Sequence, residues 1–190
     1  VAIRAFASLS DKEKDEAEIV LRSFAKYASV PIINMESATA HPLQALADAI
    51  TIKEFQPAHK PKVVLSWAPH PKALPHAVGN SFTKMMKHMD ADFIIAHPEG
   101  YALNPKITEG ITCTTDQEKA MEGADFVYTK NWCSYEQYGQ ILRTDDEWMI
   151  TPEKMKRTND GKFMHCLPIR RNIVAADGVL DSANSLVIQQ

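Results

Sequence analysis

A doubly wound, mostly parallel α/β sheet, preceded by the tail of another α/β unit, is the architecture predicted by this 190-residue sequence. Three observations predict it. From residue 62 onward, short apolar runs alternate with helix-forming stretches, as strands and crossover helices do in a parallel sheet. Residues 1–35 read as one strand, helix, strand unit that needs a larger sheet than it can supply itself. Polar side chains collect where the apolar runs end, and in open α/β sheets the ligand crevice lies outside the carboxyl ends of the strands.

The elements follow in order. VAIRAF opens the chain as a short strand. Ser10 with Glu13 makes a capping box, and Val20, Phe24 and Tyr27 recur at helical spacing, which predicts an amphipathic helix over 11–28. Residues 31–35 form a compact apolar run and the second strand. His41-Pro42 starts the next helix with proline in its first turn, and Leu43, Leu46, Ala47 and Ile50 mark its buried side. QPAHKP then breaks the chain. Strands are predicted at 62–67, 93–96, 111–114, 126–129, 163–166 and 185–188, a Rossmann-like alternation. Helices are predicted between them at 75–89, at 116–122 with Thr115 and Glu118 as capping box and Gly123 just past the end, and at 152–158 behind Thr151. Val1 opens inside an apolar run and SLVIQQ (185–190) reads as a strand with no helix behind it, so the sequence reads as an excerpt of a longer protein.

Composition removes several function classes. Lys and Arg number 21 against 24 Asp and Glu, a net charge of -3, so no broad basic field exists for nucleic acid. No apolar stretch reaches the roughly 18 residues of a membrane span, and the N-terminus lacks a signal-peptide pattern. A cytoplasmic location is the expectation. The three cysteines, Cys113, Cys133 and Cys166, form no C-x-x-C pair, which favours reduced thiols over a disulfide framework or zinc ribbon. Glycines form neither a dinucleotide fingerprint nor a P-loop, and H-E-x-x-H and G-x-S-x-G are absent.

Chemistry concentrates at a few positions. His41 sits on a helix N-terminus, with Gln44 one turn later on the same face, a favourable place for an anion. HCLPIRRN (165–172) brings a thiol, an imidazole, a turn proline and two guanidinium groups to the end of a buried strand, and arginine grips carboxylate or phosphate through its planar fork. Glu36 follows one strand and Lys130 another, and His70 lies in a proline-stiffened loop. A metal-dependent hydrolase built on His70, His97 and His165 is a rival reading, although no pair of them has a diagnostic ligand spacing.

MESATAHPLQALAD (35–48), followed at long distance by FMHCLPIRRN (163–172), resembles the carbamoyltransferases, which share H-P-x-Q and, in the ornithine branch, H-C-L-P. WAPHPKALP (67–75) and YTKNWCSYEQYGQ (128–140) narrow the likeness. The latter stands where ornithine enzymes carry the S-M-G segment that grips a free α-amino group, and both stretches are similar to the N-acylornithine carbamoyltransferases. The resemblance implies a carbamoyl phosphate domain ending in residues 1–47 and an acylornithine domain over 48–190. It implies Arg4, His41, Gln44, Cys166 and Leu167 as carbamoyl phosphate contacts, with Arg4, His41 and Cys166 catalytic. Glu36, His70, Lys130 and Arg170 would hold N-succinylornithine or N-acetylornithine. A homotrimer is implied, with no cofactor, no metal, no nucleic acid and no membrane. One departure stands out: the family's S-x-R-T-R phosphate loop has no counterpart in this sequence. A non-catalytic acylornithine-binding module is the alternative that this departure leaves open.

Overall fold

The computed structural model describes residues 1–190. The strands form two parallel sheets, of two and five strands. The small sheet pairs β1 (Ala2–Arg4) with β2 (Ile33–Glu36) in parallel, so that Arg4 lies beside Glu36. Between them the predicted single helix is two, α1 (Lys12–Glu16) and α2 (Ile19–Tyr27). Its cap is Asp11, whose side chain accepts from the Lys14 amide, rather than Ser10. The break falls at Glu18, in the left-handed region at φ 51°. The reason is local: Glu18 Oε1 accepts hydrogen bonds from Thr39 N at 2.8 Å, Thr39 Oγ1 at 2.6 Å and Ser37 Oγ at 2.8 Å, and a straight helix would aim it elsewhere. No residue of α2 is buried, and Val20, Phe24 and Tyr27 are exposed.

Helix α3 (Pro42–Phe55) begins at the His41 N-cap as expected, with proline in its first turn. Its buried side is not the predicted one. Ala45, Asp48, Thr51 and Ile52 face inward, packed toward α4 (Ala77–Met86), while Leu43, Leu46 and Ile50 lie on the outside. Apolar residues are spread around the helix rather than gathered on one face, so its pattern alone could not choose a side.

The large sheet has the order β5-β4-β3-β6-β7, from β3 (Lys62–Trp67), β4 (Asp92–Ala96), β5 (Thr112–Thr114), β6 (Phe126–Lys130) and β7 (Lys162–Met164), all parallel. The order runs outward from β3 in both directions, so the chain reverses between β3 and β6, where Trp67 pairs with Lys130. That reversal is the topological switch point of a doubly wound sheet. Val63, Val64, Leu65, Phe126, Val127 and Tyr128 are fully buried, as central parallel strands must be. Trp67 and Trp132 donate their indole N–H groups to Trp132 O and Tyr101 O at 2.8 and 2.7 Å, which lets two large aromatics stay dry below the strand ends.

Three short helices, α6 (Gln117–Met121), α7 (Pro152–Met155) and α5 (Pro105–Thr108), and the turn α8 (Asp177–Leu180), complete the covering. Thr151 caps α7 as predicted, whereas α6 is capped by Asp116 rather than Thr115. The predicted last strand is absent. Ser185 makes a single bridge to Phe163 and Leu186 N donates to Phe163 O, but Gln190 N then reaches back to Leu186 O and turns the chain.

Candidate active site

The carboxyl ends of β1 and β2 face those of β3, β6 and β7 across a cavity of about 490 Å³. Arg4, Glu36, His41, Gln44, Lys130, Cys166 and Leu167 all line it. Ala73, Leu74 and Pro75, from the loop after β3, and Val78 give it an apolar flank. Arg4, near the start of the chain, and Cys166, near its end, thus face one space.

Each side chain is aimed by its element. Register puts Arg4 beside Glu36, and Arg4 Nε and Nη2 both donate to Glu36 Oε2, at 3.2 and 2.9 Å. Arg4 is half exposed, so this pair adds little stability and leaves the guanidinium free to change partners. His41 enters α3 with its backbone N–H donated to Ser81 Oγ at 2.7 Å, and its Nε2 lies 3.6 Å from the same Glu36 oxygen. Its Nδ1 is buried without a partner. Burial pushes the His41 imidazole below its ordinary value; Glu36 opposes this, and Arg4 and Lys130 reinforce it. His41 is therefore a neutral hydrogen-bonding group at neutral pH rather than a cation.

Lys130 ends β6 on the cavity wall, and its charge acts on His41, His70, His165 and Cys166. It lowers His41, and it adds to burial in pushing the His165 ring down to about 3. Burial raises the Cys166 thiol, and Lys130 is the first influence against that rise. Cys166 therefore sits as a thiol, not a thiolate. It lies just past β7, in the turn that holds the cis Leu167–Pro168 peptide.

His70 and Arg170 do not line this cavity. They pair with each other, Arg170 Nε donating to His70 Nε2 at 3.1 Å, which leaves His70 Nδ1 to donate to Lys72 O at 2.9 Å. Arg171 is committed elsewhere, to Asp177 and Asp181, so Arg170 is the guanidinium of the pair left free of carboxylates. The hydrolase reading finds no ligand set: His97 bonds Pro98 O, His70 bonds Arg170, and no three His, Cys, Asp or Glu side chains are grouped to hold a metal.

Two residues near the site escaped sequence reasoning. Asp48, fully buried one turn after Gln44, accepts from Gln44 Nε2 at 2.8 Å. The Tyr128 hydroxyl, also fully buried, neighbours both Asp48 and Cys166. Burial raises the Asp48 carboxyl to about 6. The signal available was an acid at the i+4 position from Gln44, within the apolar first three turns of the helix.

Two cations, one of them paired with the Glu36 carboxylate, with an uncharged imidazole, an amide and a thiol around one space, make a cradle for a small anionic ligand that also carries a carbonyl or amide group. Known proteins share the sequence and the fold of this chain. Residues 1–54 match the carbamoyl-P binding domain of aspartate/ornithine carbamoyltransferases, and residues 76–190 match the Asp/Orn binding domain. The N-succinylornithine carbamoyltransferase of Bacteroides thetaiotaomicron is 48% identical over all of this chain, which covers 60% of that protein. The N-acetylornithine carbamoyltransferase of Xanthomonas axonopodis pv. citri is 36% identical, again over all of this chain and 61% of that protein. An acetylornithine transcarbamylase solved with acetylcitrulline superposes with a TM-score of 0.89 at 35% identity, over 98% of this chain and 62% of that one. A mutant N-acetyl-L-ornithine transcarbamylase solved with carbamyl phosphate and N-succinyl-L-norvaline gives 0.91 at 35% identity, over 98% and 62%. The chain thus spans about 60% of the length of the curated relatives it matches. From both halves of its sequence, and from strand ends that bring H-P-L-Q and H-C-L-P to one cavity, the chain belongs to the aspartate/ornithine carbamoyltransferase family.

Proposed function

We propose that this protein transfers the carbamoyl group of carbamoyl phosphate to the δ-amine of an N-acylornithine, giving N-acylcitrulline and phosphate, a step of arginine biosynthesis. The observation that carries this reading is the single cavity shared by Arg4, His41, Gln44, Lys130 and Cys166. The amine nitrogen attacks the carbamoyl carbon, the carbonyl oxygen gains negative charge, and the bond to phosphate then breaks. Oriented donors at that oxygen lower the barrier, and holding both reactants in one space supplies a further share of the rate. Arg4 and His41 take the donor role, and Gln44, Cys166 and Leu167 hold the carbamoyl end. The chemistry uses protein groups alone.

The amine must lose its proton first, and a lysine-like amine holds it up to about 10.4 in water. The field of Lys130, together with burial, favours the neutral amine. Glu36, the only carboxylate on the cavity wall, meets the amine end of the substrate. Arg170 and His70, paired just outside the cavity, meet the carboxylate and acyl end. Residues 1–47 act as the end of the carbamoyl phosphate part and 48–190 as the acylornithine part. Of the acyl groups, succinyl is favoured by the 48% identity to a succinylornithine enzyme against 36% to an acetylornithine one. The protein acts as a cytoplasmic homotrimer; the apolar side chains left open on α2 and α3 support assembly with further protein. The test is to offer the complete protein carbamoyl phosphate with succinyl-, acetyl- or free ornithine and to measure ureido product. Turnover of an acylated ornithine with none of free ornithine is expected; no ureido product from any of the three rejects the reading.

A further inference from the structure

Three acids are buried by this fold, Asp15, Asp48 and Asp125, and two of them are fully provided with donors. Asp15 accepts from Ser8 N, Ser8 Oγ, Leu9 N and the Tyr138 hydroxyl. Asp125 accepts from Lys62 N and Asn159 Nδ2 and pairs with His59. Asp48 is the exception. Its Oδ1 accepts from Gln44 Nε2 at 2.8 Å and from Gln190 Nε2 at 2.6 Å, but its Oδ2 has no hydrogen-bond partner. Its other polar neighbour, the Tyr128 hydroxyl, likewise makes no direct hydrogen bond. A buried carboxylate with one oxygen unsatisfied destabilises a fold, so stability does not account for an acid here.

What Asp48 touches does account for it. A carboxylate only accepts, so the Gln44 amide must turn its nitrogen inward, and its carbonyl oxygen is then the atom left for the cavity. Gln44 lines that cavity, together with His41 and Cys166. We propose that Asp48 is a positioning residue for the transfer reaction: it fixes the Gln44 amide so that an acceptor oxygen faces the ligand. This rests on the function proposed above. Under it, the group that the Gln44 oxygen receives is the N–H of a carbamoyl amide, and an amide turned the other way would present a donor to a donor.

The test is steady-state kinetics on the complete protein with carbamoyl phosphate and acylornithine varied separately. Asp48→Ala is expected to raise KM for carbamoyl phosphate roughly tenfold, the size of one lost hydrogen bond, with KM for acylornithine within about twofold of wild type. Added to Gln44→Ala it should change nothing further, because the side chain it acts through is gone. Asp48→Asn, which keeps an acceptor oxygen, should recover most of the loss. A swap pair serves if Asp48→Ala does not fold: Gln44→Glu sets two acceptors together, and adding Asp48→Asn supplies the missing donor and should restore carbamoyl phosphate KM. Losses that multiply in the double variant, a rise in both KM values alike, or no recovery in the swap pair would overturn the inference while wild-type activity stands. A wild-type protein without carbamoyl transfer would overturn both.

Discussion

Asp48 also makes a prediction that needs no substrate. Burial moves its carboxyl from 3.8 to about 6, so between those values the folded protein keeps a proton that the unfolded chain has released. Stability is then intact below the lower value, falls as pH rises through the window, and stays reduced above it. Asp48→Asn has no charge to bury. It should be more stable than wild type by about 3 kcal/mol at pH 7.5, with the gap closing by pH 4. Urea unfolding at the two pH values reads this directly, and an equal gap at both would refute it. His41, Gln44 and Cys166, which share one cavity, were legible because histidine and glutamine stood at a helix start and the thiol past a strand end; Arg4 was legible only through the family likeness. The sequence hid Asp48 and Tyr128. An acid in a helix reads as solvated, and a tyrosine in a strand reads as core; only the packing of α3 on α4, beside β6, turns the two toward each other.

At the scale of elements, strands were more legible than helices. Central strands such as 62–67 and 126–129 announce themselves by unbroken apolar runs, since both faces are covered. The stretch 185–188 has the same composition but only one neighbour to pair with, and it turns away after a single bridge. The helix predicted over 11–28 failed for a tertiary reason: Glu18 takes a left-handed conformation to reach Thr39 and Ser37, two residues that precede the His41 cap. That link is testable. Glu18→Ala should cost about 2 kcal/mol, the net worth of hydrogen bonds to a charged acceptor less the relief of backbone strain, and Glu18→Gln should cost less because it keeps an acceptor. Denaturant midpoints for the two variants check the order; equal midpoints would mean the carboxylate does not hold the loop. Because the loop leads into His41, the proposed function adds that carbamoyl phosphate affinity should fall in Glu18→Ala as well.

At the scale of the molecule, the two sheets are tied by the segment after β1. Gly139 has φ +76°, and a Cβ there would lie 2.0 Å from Leu9 O, so the chains touch backbone to backbone. Tyr138 donates to Asp15 at 2.8 Å, and Lys12 Nζ to Tyr135 O at 3.0 Å, on the same seam. Gly139→Ala should destabilise by at least about 2 kcal/mol, through strain and collision together. Gly123→Ala is the control: φ is +66° but nothing lies within 4 Å of the added carbon, so only the strain of about 1–2 kcal/mol remains. Matching thermal shifts in the two variants would show that the seam yields freely. The parallel sheet has one more consequence. Since every strand of β3 to β7 runs the same way, the reactive groups crowd one rim, and the opposite rim, with the turns around 56–61, 87–91 and 158–161, carries none of them. A fluorophore, an affinity handle or a surface tether attached there would leave the chemistry undisturbed.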